Sequence, residues 1–542
     1  MLPTAADYVI VGAGSAGCVL ASRLTEDPGT SVVLIEAGGK DSSLNVKIPL
    51  AFPNLFHGPL DWDYATDPEP ACHDRRLYIP RGKCLGGSSA MNAMLYVRGR
   101  PSDYDGWAAD GAAGWGWADA KPYFLKAEGN SRGASDDHGT DGPLHVQDAK
   151  SPRPLNQRII DGFVASGLDR NPDYNGPQQD GTGMFQVLQR DGRRWSAADA
   201  YLHPVRKRKN LTVVTHAHVE RLELDGRRVI GVRYRDRKGE LHVLRAGREV
   251  LLAAGAIGSP QLLMLSGIGD AGQLRQQGVT PLHELPGVGR NLQDHPMLTV
   301  LSAVSDTETL YGADKPRRLL EWLLRRSGPL TSTAAESVAF WRSRPELPAA
   351  DIQFHCGALF YEQHGAETYE GHAMTIAPVL LTPKSRGRVA LRSADAHEAP
   401  SILTNTLHER EDVDAMVAAI KMARRVAATG PLRATVQSEL RPGSEHESDE
   451  QIEASLRDRV ELIYHPVGTC RMGAADDPSA VVDPELRVRG LDGLRVIDAS
   501  VFPTIPGGNT HAPTVMVAER AADLLRGRKP LHDARVATGA TA

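Results

Sequence analysis

Asp7–Glu36 reads DYVIVGAGSAGCVLASRLTEDPGTSVVLIE, and this stretch decides the fold. Asp7–Val11 is a short apolar strand, Gly12–Gly17 a glycine turn, Cys18–Leu24 a run with helical spacing, and Ser31–Glu36 a second apolar strand. Strand, helix and strand in this order imply a parallel pair joined by a right-handed crossover. Within the turn, Gly12 permits the tight bend, Gly14 lets the backbone approach a pyrophosphate, and Gly17 lets helix and strand pack closely. The helix N-terminus, with Ser15 and Ala16 in it, points N–H groups and a partial positive charge at the phosphates. Glu36 ends the second strand nineteen residues past Gly17, where an acid accepts hydrogen bonds from a ribose diol. The constellation predicts a dinucleotide-binding domain. By itself it does not separate FAD from NAD.

Further pieces of the same domain are expected downstream. Arg248–Ala254 (REVLLAA) is a predicted strand that runs into a glycine turn, followed by helix over Gln261–Ser266. Leu494–Asp498 is a strand, and Pro513–Leu525 a helix with proline in its first turn, where a missing N–H is no loss. The intervening texture differs. Asp351–His355 and Arg388–Leu391 read as strands and Glu411–Ala427 as an amphipathic helix, among many Pro, Gly and Ser breaks. The expected fold class is α/β: a Rossmann-like nucleotide-binding domain with a parallel sheet, plus an α+β substrate domain with an antiparallel sheet. The first domain is expected in three segments (1–155, 196–305 and 462–542), the second in two (156–195 and 306–461).

Composition narrows the function class. A length of 542 residues exceeds what one hydrophobic core serves, and 41% hydrophobic with 24% charged residues is ordinary for a soluble globular chain. The net charge of −5 argues against a nucleic-acid partner. Five scattered cysteines without a CxxC pair indicate neither a disulfide framework nor a metal site. The opening MLPTAADYVIVGAG has no basic n-region, and its apolar run breaks at glycines. A cytoplasmic protein without a transmembrane segment is expected; peripheral contact with the inner membrane face is compatible with that.

A family resemblance sharpens this. Gly82–Asp105 (GKCLGGSSAMNAMLYVRGRPSDYD) and Gly255–Gly269 (GAIGSPQLLMLSGIG) resemble the two signatures of the glucose–methanol–choline (GMC) oxidoreductases, which are FAD enzymes. Tyr464–Gly473 (YHPVGTCRMG), Val496–Ser500 (VIDAS) and Gly508-Asn509-Thr510 look like the same family, so the resemblance runs from residue 7 to about 526. Within the family the chain looks like choline dehydrogenases and aliphatic alcohol dehydrogenases. The resemblance implies that Leu85, Asn92, Ala93, Met94 and Leu95 flank the isoalloxazine, with Asn92 near its N5 side. It implies that Val219 holds the adenine edge, that Asp498 and Ala499 meet the phosphate and ribityl region, and that Thr510 is a further cofactor contact. Met91 stands where relatives with covalent flavin carry histidine, so FAD is expected to be non-covalent.

Alcohol oxidation needs a base for the hydroxyl proton, and histidine suits that task. Of 19 histidines, His465 lies in the block matching the family's catalytic histidine, and Pro466 biases it to an extended conformation. Asn509 falls where the family places histidine or asparagine, and an asparagine there hydrogen-bonds the developing alkoxide. His511 is a weaker competitor, and Cys470 is expected to be a packed side chain. Trp62, Glu336, His355 and Tyr464 match substrate-pocket positions of choline-oxidising relatives. The expected reaction is dehydrogenation of a primary alcohol to an aldehyde by proton abstraction and hydride transfer to N5, with electrons leaving to a quinone or other acceptor. Uncharged medium-chain or aromatic alcohols are expected before choline. Choline dehydrogenase, oxygen-using alcohol oxidase and hydroxynitrile lyase are the alternatives.

Overall fold

The computed structural model describes residues 3–305 and 307–537. Ala5–Val11 runs in the middle of a seven-stranded sheet. It is parallel to Val32–Glu36 on one side, with Val9 opposite Val33, and to Leu241–Leu252 on the other, with Val9 opposite Val250. Leu211–Thr215 extends the sheet beyond Val32–Glu36. Val9, Ile10, Val33 and Leu34 are all buried, because a parallel sheet covered on both faces buries successive side chains alike.

The expected strand Arg248–Ala254 is the end of a longer one. The first half of Leu241–Leu252 pairs antiparallel with Arg228–Arg235, and Val250–Leu252 pairs parallel with Leu494–Val496. The extension was hidden in the sequence because Leu241–Gly247 is mostly exposed and mixed in polarity.

Helices begin earlier than their periodicity suggested, at Ser15, Gly255 and His511. Glycine, small residues and proline crowd these first turns and mask the helical pattern. In Gly255–Leu265, Pro260 has no N–H for the carbonyl of Ala256. Thr469 Oγ1 donates to that carbonyl instead, at 2.6 Å. The His511–Leu525 helix packs on Ser15–Leu24. Between them the buried Glu519 carboxylate accepts from Arg23 at 2.7–3.0 Å and from Tyr201 Oη at 2.9 Å. Removing one partner of such a buried pair costs about 3–5 kcal/mol, so the two ends of the sequence are firmly joined.

The second layer is an antiparallel sheet in the order Val436–Arg441, Val300–Val304, Ala373–Leu380, Ile352–Gly357, Ser337–Trp341, Gly181–Met184. Strand alternation sorts its side chains. Ile352, Phe354 and Cys356 join one core with helices Leu155–Ala165 and Arg410–Ala428, so His355 projects from the other face, opposite Ala377. Pro296–Val304 hydrogen-bonds into this sheet although it falls within the 196–305 segment expected for the nucleotide half. A division near residue 295 follows the hydrogen bonding more closely. Arg388–Leu391 is a strand of a separate small sheet, Gly387–Ala390 between Arg290–Leu292 and Ser401–Leu403.

Candidate active site

A cavity of about 330 Å³ is lined from both sheets. At one end stand Gly12, Gly14, Ser15, Ala16, Glu36 and Val219; at the other Tyr464, His465, Asn509, His355, Met297 and Leu359.

The glycine end is built from backbone. A Cβ on Gly17 would lie 1.9 Å from the carbonyl oxygen of Gly12, so strand and helix meet only because Gly17 has none. Gly87, at φ +52°, would place a Cβ 2.7 Å from Gly14 Cα, which brings the second glycine turn against the first. The result is a trough without side-chain bulk, and the first turn of Ser15–Leu24 carries no acid to occupy its positive end. Glu36 accepts from Ala13 N–H at 2.9 Å and Gly38 N–H at 2.8 Å. Burial pushes its carboxyl up to about 7. It therefore clamps the glycine turn while facing the cavity. These residues fit a dinucleotide.

Asn92, Ala93, Met94 and Leu95 line the middle of the cavity, as do Ala499 and Thr510. Asn92 Oδ1 accepts from Arg194 at 2.7 Å and from Met94 N–H at 3.0 Å, which leaves the Asn92 NH₂ as a donor. Two of the expected contacts, Gly17 and Leu85, lie off the cavity wall. Gly17 serves packing. Leu85 lies behind the wall, its N–H donating to Gly39 O at 3.0 Å. Asp498 borders the cavity as expected, and its carboxylate accepts from Gly255 N–H at 2.9 Å, Ser259 Oγ at 2.6 Å and Ser500 N–H at 2.8 Å. It caps the Gly255–Leu265 helix from the cavity border.

At the other end His465 and Asn509 meet, with Nε2 and Nδ2 3.2 Å apart. Behind them stands His295, whose Nδ1 is 3.0 Å from His465 Nδ1 and whose Nε2 is 3.2 Å from Leu381 O. This chain of contacts sets every proton. A carbonyl only accepts, so His295 carries its hydrogen on Nε2, and burial holds its pKa down at about 3. Neutral His295 therefore offers a bare Nδ1, and His465 must donate to it from its own Nδ1. His465 Nε2 is left unprotonated and faces Asn509. Burial, and then His295, His355 and Arg81, hold His465 well below the ordinary histidine pKa. Asp294 fixes the backbone of both histidines, its Oδ1 accepting from each N–H at 2.8 Å. Arg81 donates to Tyr464 O at 2.5 Å. Asn509 Oδ1 and His355 Nε2 are buried without a partner within the protein, which suits a wall that awaits a polar ligand.

Sequence reasoning missed His295, Asp294 and Arg81. One signal existed: Asp294-His295-Pro296 repeats the His-Pro pairing of His465.

The remaining expected pocket residues divide. His355 and Tyr464 line the cavity. His355 is set edge-on to Phe185 at 5.4 Å, and burial pushes its pKa down to about 4. Tyr464 hydrogen-bonds His364 and packs edge-on against Phe56 at 5.7 Å. Trp62 also borders the cavity, but its ring stacks on Tyr64, lies edge-on to His218 and carries Lys83 Nζ 4.5 Å above it. Those contacts tie it to the Val219 end and away from His465. Glu336 is corrected outright. Its carboxylate turns into the substrate domain, accepting from Arg153 N–H at 2.8 Å and Asn156 Nδ2 at 2.5 Å, and it does not line the cavity. Glu336 stands just before the strand Ser337–Trp341, where strand alternation does not yet fix direction, and its hydrogen bonds draw it toward Arg153 and the Leu155–Ala165 helix. Among the lining residues the only carboxylates are Glu36 and Asp498. His511 hydrogen-bonds Ser15 Oγ at 2.9 Å and belongs to the glycine end. Cys470 is fully buried, and that burial raises its thiol pKa far above the usual range, so it is no nucleophile.

Two family models described as GMC oxidoreductase match residues 6–297 and 383–518. The chain is 43% identical to "Alcohol dehydrogenase [acceptor]" of Pseudomonas putida, over 96% of this chain and 95% of that protein. It is 42% identical to mitochondrial choline dehydrogenase of Mus musculus, over 98% and 91%. Among solved structures, formate oxidase of Aspergillus oryzae, studied for its FAD modification, superposes with a TM-score of 0.91 at 28% identity, over 97% of this chain and 98% of that one.

Proposed function

Because the chain belongs to the GMC oxidoreductases and is an FAD-binding flavoprotein of that family, we propose that it dehydrogenates uncharged primary alcohols to aldehydes. The observation that carries this reading is the geometry of His465, its Nε2 3.2 Å from the Asn509 amide nitrogen and its Nδ1 3.0 Å from His295 Nδ1. A substrate hydroxyl seated between His465 and Asn509 donates to Nε2 and accepts from Nδ2. His465 takes the proton, and its new charge is shared along Nδ1–H to the neutral His295. Asn509 stabilises the alkoxide as charge builds. FAD, when bound, supplies the hydride acceptor for the α-carbon. The glycine turns, Glu36 and the Asn92 NH₂ would hold it, without a covalent link since Met91 replaces the attachment histidine.

The substrate end supports a neutral alcohol over choline. The charged side chain that lines this end is Arg81, and Glu336, the expected partner for a quaternary ammonium, faces elsewhere. Met297, Leu359, Tyr361, Ala377 and Ile463 line an apolar wall suited to an alkyl or aryl chain. Electrons pass onward to an acceptor, on this reading a quinone; the Pseudomonas relative's name gives an acceptor of no stated chemistry.

The test is an anaerobic panel of hexanol, benzyl alcohol and choline against purified yellow enzyme, followed by flavin absorbance. Rapid bleaching by the first two supports the proposal. Faster bleaching by choline overturns the substrate order, and a flavin that stays oxidised with every alcohol overturns the reaction. Oxygen consumption by the reduced enzyme at the turnover rate would replace the quinone with oxygen.

A further inference from the structure

The helix Pro316–Arg325 (PRRLLEWLLR) presents its apolar side outward. Trp322 is buried and anchors it, its indole N–H donating to Gly192 O at 2.8 Å. At 3.6 residues per turn, Leu320, Leu323 and Leu324 fall on the side away from Trp322. They are 56%, 45% and 75% exposed, and the nearby Tyr311 is 53% exposed. Four of the large apolar side chains most open to water thus sit within one short segment, whereas scattered single ones need no explanation.

The flanks are cationic. Lys315, Arg317, Arg318, Arg325 and Arg326 outnumber Asp314 and Glu321, in a chain whose net charge is −5. Arg318 pairs with Glu321, and Arg326 stacks on the Trp322 ring at 4.0 Å. Lys315, Arg317 and Arg325 are exposed and pair with no carboxylate among the described residues.

We propose that this face docks on the surface of a bilayer containing anionic phospholipid. The leucines enter the boundary between headgroups and acyl chains, and the flanking cations meet lipid phosphates. A second copy of the chain is a poorer occupant, since a two-fold contact brings the same cations against each other. No helix among the described residues is long and apolar enough to cross a membrane, so the contact is at the surface. The helix adjoins the cavity rim on both chain sides. Leu310 N–H donates to Ala358 O at 2.7 Å, beside Leu359 of the wall. Beyond the helix, Pro329–Thr331 packs on Pro49–Leu55, and Thr333–Ala335 line the cavity. Docking would set that rim next to lipid, whichever alcohol the site takes.

The test is vesicle flotation of the FAD-loaded enzyme at low salt, using phosphatidylcholine vesicles with and without phosphatidylglycerol. The enzyme should float with the mixed vesicles, at least tenfold less with phosphatidylcholine alone, and less again as salt is raised. Leu320→Gln/Leu324→Gln and Arg317→Gln/Arg325→Gln should each weaken flotation by about tenfold or more. Turnover with a soluble dye should be unchanged in both, which shows an intact fold. Failure of the wild type to float overturns the proposal, as does equal flotation of the variants. So does light scattering that finds a wild-type oligomer dissociated by Leu320→Gln/Leu324→Gln, which would give the face to a second copy.

Discussion

The two ends of the cavity are made of different material. At the glycine end, ligand space is shaped largely by the backbone of two glycine turns, and the acids there already accept from amide N–H groups: Glu36 from Ala13 and Gly38, Asp498 from Gly255 and Ser500. At the histidine end, side chains from distant segments converge, and polar atoms of the cavity-lining Asn509 and His355 are left without partners. Binding a constant group calls for a rigid, locally encoded cradle. Moving a proton calls for groups whose demands are met only when substrate arrives.

The sharpest way to break this contrast is Gly17→Val at the glycine end. A Cβ 1.9 Å from Gly12 O cannot be accommodated, so the turn must open. We expect FAD to be lost on gel filtration and stability to fall by about 3 kcal/mol or more, read from the urea midpoint. A yellow variant with the wild-type midpoint would show that the close approach is dispensable.

At the histidine end the opposite is expected: chemistry is lost and the cofactor kept. His465→Ala should lower kcat by about two to four decades with FAD still bound. Asn509→Ala should cost about 10²–10³-fold. The double variant should lose less than the product, because both groups act on one developing alkoxide. Activity of His465→Ala within about threefold of wild type would mean that another base does the work.

His295 tests whether the proton chain matters or merely packs. His295→Ala removes the acceptor for His465 Nδ1–H, and kcat should fall by about 10- to 100-fold, with KM little changed. His295→Asn restores a carbonyl acceptor and should recover most of that loss. Equal damage from both variants would reduce His295 to a structural role.

The pH profile follows from the same burial. Because His465 is held well below its ordinary pKa, the base stays unprotonated as pH falls through about 6.5. kcat/KM should therefore hold steady there and decline only at more acid pH, where Nε2 gains its proton. An acid limb centred at or above the ordinary histidine value would contradict the assigned environment. The smallest effect concerns Glu336. Glu336→Gln should leave the ratio of choline to hexanol turnover within about twofold, since the group lies off the cavity, and a change of tenfold or more would restore it to the substrate pocket.

Much of the glycine end was legible in the sequence. Gly17 meets Gly12 within one turn of chain, and Glu36 follows at a spacing set by one helix and two strands, so local geometry carries that message. The approach of Ala253 to Gly12 and of Gly87 to Gly14, by contrast, is tertiary. His465 and Asn509 were also named from their motifs, and they do meet across the cavity. The surrounding side chains were another matter. Trp62, Leu85, Asp498 and Glu336 were identified by position in a motif, yet all four lie outside strands, and whether such a side chain faces a cavity, a cap or a core depends on what packs around it. His295 lies 170 residues before His465, and only the antiparallel pairing of Pro296–Met297 with Glu461–Leu462 sets the two rings side by side. Spacing along the chain records short-range sterics, whereas the tautomer of a buried imidazole is decided by which acceptor the tertiary fold happens to put against its other nitrogen.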